Sequence, residues 1–241
     1  SARRRLEALD AEIMHSDPNV PDWAARDRFV SSKGPAGPAV YATLAIKGFF
    51  DRDMLKTLNQ PGTKLPSHCD RVLTPGIDMT TGSLGQGASL AAGMAMGLKL
   101  SGSHSKVYVL LGDGECNEGQ IWEMALFAPA KKLSNLMAFV DYNGKQLDGR
   151  TDDIIPMGDI RAKFESFGWH ALEIEGNDPD LIAQTIKRAQ AEQGDKPSCI
   201  VLKTVKGSGI KEIEDMEINH HINTPAEQVQ KWRAELRALL A

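Results

Sequence analysis

The chemistry of this chain concentrates between Lys106 and Gly149, which reads KVYVLLGDGECNEGQIWEMALFAPAKKLSNLMAFVDYNGKQLDG. An apolar run ends in Gly112-Asp113-Gly114. An acidic turn and a helix-length segment follow, and a second apolar run ends in Asp141-Tyr142-Asn143-Gly144. Asp113 and Asn143 sit thirty positions apart, each just past the carboxyl end of a predicted buried strand. In an open α/β sheet, ligands bind at that end. A carboxylate, an amide oxygen and a backbone carbonyl are hard oxygen donors and suit a Mg²⁺ that also holds phosphate. Gly114 lets its backbone N–H approach a phosphate oxygen with no Cβ in the way. Taken alone, a loop aspartate followed by an Asn-Gly turn would look the same.

The elements that must carry these residues follow from periodicity. Helices are predicted over 2–13, 36–48, 118–130 and 179–191, a short one begins at Met54-Leu55, and another ends at 164–169. Strands are predicted at 29–30, 107–111, 136–140, 170–174 and 199–204. Residues 16–21 read as a loop and 61–75 as irregular. The stretch Gly82–Leu100 reads as a helix rich in small residues (Ala88, Ala91, Ala92, Gly93, Ala95, Gly97), able to pack very close to a neighbour, with Ser83 as a candidate cap. The last helix has Thr224 as cap, Pro225 at its first position and Glu227 three after the cap. Its apolar face is Val229, Trp232, Leu236 and Leu239. Strands alternating with helices give an α/β fold, a parallel sheet with helices on both faces, as a single domain over 1–241.

Three further motifs keep order with the Gly-Asp-Gly…Asn signature. They are Ala25-Arg26-Asp27-Arg28-Phe29-Val30-Ser31-Ser32-Lys33-Gly34, then Thr80-Thr81-Gly82-Ser83-Leu84-Gly85-Gln86-Gly87, and Lys203-Thr204-Val205-Lys206-Gly207-Ser208-Gly209. In this order they resemble the N-terminal, diphosphate-binding part of transketolases, over nearly the whole chain from about Ser16 onward. The resemblance implies thiamine diphosphate and Mg²⁺ as cofactors. It implies Asp113 and Asn143 as metal ligands, with the backbone carbonyl of Lys145 as the third. It sets Gly82, Ser83, Leu84, Gly114 and Lys206 against the cofactor. Glu118 would couple across a subunit boundary to a partner glutamate; a glutamate favoured by the helix dipole also explains its position, and the two roles do not exclude each other. His68 would face substrate. Counting forward from Lys206, the family's next histidine falls on His220; counting back from Pro225 favours His221. His220 is preferred, with His221 the alternative. His15, His104 and His170 read as ordinary surface or core residues.

Two departures touch the substrate side. Ser32-Lys33-Gly34 is followed by Pro35, where the family carries histidine, and the family's Gly-His-Pro segment between its first two helices has no counterpart. The chain ends in a helix without a linker. The resemblance therefore implies the N-terminal subunit of a split transketolase, which transfers a two-carbon ketol unit between small sugars or sugar-like molecules. A C-terminal, pyrimidine-binding partner subunit would complete each site, with two copies of each chain. Another thiamine-diphosphate carboligase or synthase, and a non-catalytic cofactor-binding subunit, are the competing readings.

Composition agrees with a globular protein: of 241 residues, 41% are hydrophobic and 25% charged. A net charge of −4, with Lys and Arg spread along the chain, argues against a nucleic-acid partner. No apolar stretch approaches the roughly 20 residues of a membrane span. Ser1–Leu6 is basic without an apolar core segment, so no secretion signal is expected. Three isolated cysteines, Cys69, Cys116 and Cys199, suggest neither a disulfide framework nor a zinc site and fit a reducing cytoplasm.

Overall fold

Apolar runs flanked by amphipathic segments build a parallel sheet here because each crossover helix returns the chain to the same edge direction. The computed structural model describes residues 13–222 and 224–238. The strands in chain order are β1 (Arg28–Ser31), β2 (Val107–Gly112), β3 (Leu136–Tyr142), β4 (Lys145–Gln146), β5 (Gly149–Arg150), β6 (His170–Glu175) and β7 (Ser198–Lys203). Five of them form one sheet in the order β1-β2-β3-β7-β6, every pair parallel. β4 and β5 form a separate antiparallel ribbon. The helices are α1 (Gly37–Lys47), α2 (Gln86–Leu100), α3 (Gly119–Ala130), α4 (Thr151–Ile154), α5 (Ile160–Ser166), α6 (Pro179–Glu192), α7 (Lys211–Glu214) and α8 (Ala226–Ala238).

Strand alternation sorts the core into two faces. Val107, Val109 and Leu111 of β2 pack with Ala88, Ala91, Ala92 and Ala95 of α2 and with Ile121, Met124 and Ala125 of α3. Tyr108 and Leu110 point the other way, to Ile182, Ile186 and Ala189 of α6. A third cluster, Val40, Tyr41, Leu44, Leu65 and Cys69, seats α1 against the loop that carries His68. There the Tyr41 hydroxyl donates to the carbonyls of Pro66 (2.8 Å) and His68 (3.0 Å). Register then dictates the functional end of the sheet. Gly112 pairs with Asp141, so the residues just beyond them, Asp113 and Asn143, emerge side by side.

The Asp27-Arg28-Phe29 motif anchors the edge strand. Asp27 accepts the N–H groups of His15 (3.0 Å) and Lys106 (2.7 Å), and Arg26 pairs with Asp78, which also accepts the Phe29 N–H (2.8 Å). A buried, doubly accepting carboxylate is a compact way to hold the start of a strand whose neighbour arrives from far along the chain.

Several boundaries differ from the sequence reading. The small-residue helix begins at Gln86, not Gly82, because Gly85 adopts φ +84° and turns the chain. Ser83 is therefore not its cap; only its carbonyl participates, accepting the Gln86 N–H at 3.4 Å. The α2 alanines pack inside the chain, while a Cβ on Gly93 or Gly97 would meet open space. Met54-Leu55 lies in a 3₁₀ turn, Arg52–Thr57. The last helix begins at Ala226, with the Pro225 carbonyl accepting the Val229 N–H. The helix expected over 2–13 falls almost wholly outside the described residues, as does Leu239. Among the described residues no helix is long and apolar enough to cross a membrane.

Phe164 is fully buried between the rings of Trp122 and Trp169, at centroid distances of 5.5 and 5.2 Å. Phe164→Ala is expected to lower the unfolding free energy by about 3–5 kcal/mol, read from the urea midpoint; a loss under about 1 kcal/mol would contradict this packing.

Candidate active site

Three buried carboxylates occupy the carboxyl ends of the central strands, and each bridges a gap between neighbours. Asp113, directly after β2, accepts the N–H of Asn143 (2.9 Å) and Gly144 (2.6 Å) through Oδ2, and that of Gly114 (2.9 Å) through Oδ1. It thus ties the end of β2 to the turn after β3. Asp141, near the end of β3, accepts the Lys33 Nζ (2.6 Å) from the loop after β1 and the Thr204 hydroxyl from the segment after β7. Glu115 accepts the Ser32 hydroxyl and the N–H groups of Gly85 and Gly112. Asn143 turns its side-chain oxygen onto the Lys145 N–H (3.2 Å), which fixes the following turn.

Above this floor opens a cavity of about 500 Å³. Of the residues expected from sequence, Asp113, Gly114, Gly82, Leu84, Glu118, Lys145, Lys206, His68 and His220 line it. Asn143 does not; it lines an adjoining cavity of about 250 Å³ with Gly144, Arg150 and Lys203, while its backbone contacts Asp113. Ser83 and His221 are exposed and outside the lining. Of the adjacent pair His220 and His221, it is His220 that reaches the cavity. Gly114 departs from expectation in one respect: its N–H is engaged by Asp113.

The wall near the mouth is built by close approach. A Cβ on Gly34 would lie 2.3 Å from His68 Cδ2, so glycine lets the imidazole rest on the backbone. The Glu118 carboxylate is exposed at the head of α3, where its backbone is in the extended region and no side-chain cap forms. Leu84, 38% exposed, presents an apolar surface into the opening, and Pro35, Leu147, Ile154 and Ile155 extend it.

Electrostatics are set by burial. It pushes the carboxyls of Asp113 and Glu115 above their usual range, against the pull of the N–H donors and of Lys33. Burial, with the like charge of Lys33 next, lowers Lys206 to about 8. Lys206 Nζ lies 3.0 Å from His220 Nδ1. Burial and the Lys206 charge both lower the His220 pKa, so the ring is neutral near pH 7. An ammonium can only donate, so Nδ1 accepts and the ring proton sits on Nε2.

Sequence reasoning singled out neither Glu115, Lys33 nor Gln146 as site residues, yet all three line the cavity. Lys33 lies inside the motif that runs from Ala25 to Gly34, and Glu115 directly follows Gly-Asp-Gly; their burial was the missing signal. Gln146 has a buried Oε1 with no hydrogen-bond partner among the described residues.

Comparison with known proteins gives a consistent result. Residues 6–238 match the family described as transketolase, thiamine diphosphate binding domain. A 6-deoxy-6-sulfo-D-fructose transketolase subunit of Clostridium sp. (strain MSTE9) is 47% identical over 97% of this chain and 84% of its own length. An apulose-4-phosphate transketolase subunit of Phocaeicola vulgatus is 38% identical over 94% of this chain and 80% of its own. The crystal structure of transketolase from Campylobacter jejuni superposes with a TM-score of 0.87 at 27% identity, covering 98% of this chain but 42% of that one. The chain spans most of the subunit relatives and less than half of the solved transketolase.

The lowered Lys206 pKa has a stability consequence. Between about 8 and the ordinary 10.5 the unfolded chain binds the extra proton, so this group makes the fold gain stability as pH rises through that window. Lys206→Met is expected to remove this slope, so that wild type gains on the variant between about pH 7.5 and pH 10 in urea unfolding. Parallel pH dependences would rule out a desolvated ammonium here.

Proposed function

The chain belongs to the transketolase thiamine diphosphate binding domain family, and from that premise we propose that it is the cofactor-binding subunit of a two-chain transketolase. It is a transketolase-like transferase subunit. The observation that carries the reading is the Asp113–Asn143 junction at the base of a cavity lined by Lys206 and His220.

The residues fit thiamine diphosphate with Mg²⁺. Among the described residues no three His, Cys, Asp or Glu side chains converge on one point. A metal here would therefore complete its shell with oxygens of the diphosphate and water, as Mg²⁺ does. Asp113, Asn143 and the Lys145 carbonyl supply hard oxygens of the right type. A Cβ on Gly114 would come within 2.8 Å of Gln146 Cβ, so a side chain there would close the cradle. The unpartnered Gln146 Oε1 is an acceptor that an incoming donor would satisfy.

When bound, thiamine diphosphate supplies the electron sink for breaking and remaking a carbon–carbon bond. The chain's own part is position and charge. Asp113, Asn143 and Lys145 would hold the metal, and Lys206 would offset diphosphate charge. Gly82 and Leu84 would border the cofactor, Leu84 offering an apolar face, and Ser83, outside the lining, would contribute through the backbone that joins them. His220, its proton on Nε2, would donate to cofactor or substrate oxygen, and we assign it that role rather than His221. His68, at the mouth, would orient substrate. Glu118, exposed, is free to meet a carboxylate of a partner chain, where buried in an interface two carboxyls can share a proton.

The whole of 1–241 acts in this reading as one diphosphate- and metal-binding domain. The coverage of the subunit relatives against the longer solved transketolase supports a C-terminal partner subunit; two copies of each chain are part of the reading on the family resemblance alone. The names of those relatives support a ketose donor of sugar or modified-sugar type and a two-carbon ketol transfer. Three buried free cysteines are compatible with the reducing cytoplasm. Pro35 in the cavity wall, where the family carries histidine, is the observation on which a cofactor-binding but non-catalytic subunit would rest.

Titration calorimetry of thiamine diphosphate with Mg²⁺, with and without the partner subunit, tests the reading; tight binding with the partner is expected. Loss of an outer-shell group near a metal costs about 10–100-fold, so Asp113→Ala is expected to weaken metal-dependent cofactor binding by at least about a hundredfold. Undiminished binding in that variant would refute the metal assignment. Cofactor binding without ketol transfer from any ketose would favour the non-catalytic subunit.

A further inference from the structure

Glu115 lies under the cavity, 3% exposed, and the roles assigned above do not use it. Its Oε1 accepts the Ser32 hydroxyl and the Gly85 N–H (2.9 Å), and its Oε2 accepts the Gly112 N–H (3.0 Å). The three donors come from three segments: the loop after β1, the turn into α2 and the last residue of β2. The turn into α2 delivers Gly82 and Leu84 to one wall, and the end of β2 delivers Asp113 and Gly114 to the other. The surroundings leave this arrangement little room. Ser32 is fully buried, and a Cβ on Gly87 would come within 2.6 Å of its hydroxyl oxygen, so the first turn of α2 abuts it. A Cβ on Gly85 would lie 3.1 Å from Glu118 Cβ, so the stem of Glu118 rests against the glycine that Glu115 pins.

We propose that Glu115 is a positioning residue that sets the separation of these two walls, and so governs the fit of the whole cofactor rather than of its diphosphate alone. The inference rests on the cofactor reading above. Two backbone N–H groups, which can only donate, reach opposite oxygens of Glu115, and the Ser32 hydroxyl lies against one of them. The group between therefore has to accept on both sides, as a carboxyl does and an amide does not. An amide in its place turns an NH₂ toward a backbone N–H, and the segment on that side has to withdraw. The diphosphate end is secured separately, through Asp113, Asn143 and Gly144, by bonds that do not involve Glu115.

The test is calorimetry on the assembled protein with two probes, Mg²⁺ with thiamine diphosphate and Mg²⁺ with inorganic pyrophosphate. Glu115→Gln is expected to weaken thiamine diphosphate by at least about tenfold, or about 1.4 kcal/mol, while pyrophosphate changes by less than about twofold. Should Glu115→Gln not fold, Ser32→Ala decides: it removes one donor without setting donor against donor, and the same selective loss, about threefold, is expected. Equal losses for both probes, or no loss for either, would overturn the positioning role and leave the cofactor reading intact. Wild-type protein that binds neither probe would overturn both.

Discussion

Parallel strands leave their carboxyl ends as a row of loops with no hydrogen-bonded neighbour, and in this chain that row is joined by buried carboxylates. Asp113 bridges the ends of β2 and β3, Asp141 joins β3 to the segments after β1 and β7, and Glu115 binds β2 to the loop after β1 and to the entry of α2. A buried carboxylate is tolerated only when its lone pairs are filled, and these are filled by backbone N–H groups, hydroxyls and one lysine. Loop positions follow from that demand. The crevice is held open because its walls are tethered from below rather than packed against each other.

The same groups that stabilise the crevice give it a charge pattern. The buried carboxylates Asp113, Glu115 and Asp141 stand among Lys33, Lys145 and Lys206, three lysines that line the cavity, so both signs of charge face the opening.

Much of this was legible in the sequence, for a specific reason. The interval between Gly-Asp-Gly and Asn is one strand–helix–strand unit, and the register Gly112↔Asp141 converts that interval into adjacency. The alternation of strands and helices along the chain likewise announced a parallel sheet covered on both faces. Backbone detail was less visible. Gly85 at positive φ delays α2 and removes Ser83 from the cap, and no propensity argument predicts which of several glycines will turn. The two-residue strands of β4 and β5 are too short to carry a period. Counting could not separate His220 from His221; in the fold it is His220 that lies against Lys206. Glu115 was unreadable because a glutamate after a turn is usually solvated, and only the fold shows three donors closing around it.

The strand order has a kinetic consequence. Pairings in the main sheet reach across the chain to residues as distant as Arg28 and Val107 or Met137 and Ser198, so no local hairpin can nucleate it. High contact order of this kind slows folding, because loop-closure entropy is lost before the pairings offset it. Asp113 and Glu115 each have one local donor, Gly114 and Gly112. The other donors of the three carboxylates come from segments distant along the chain, so the crevice is completed only when β1, β2, β3 and β7 have met.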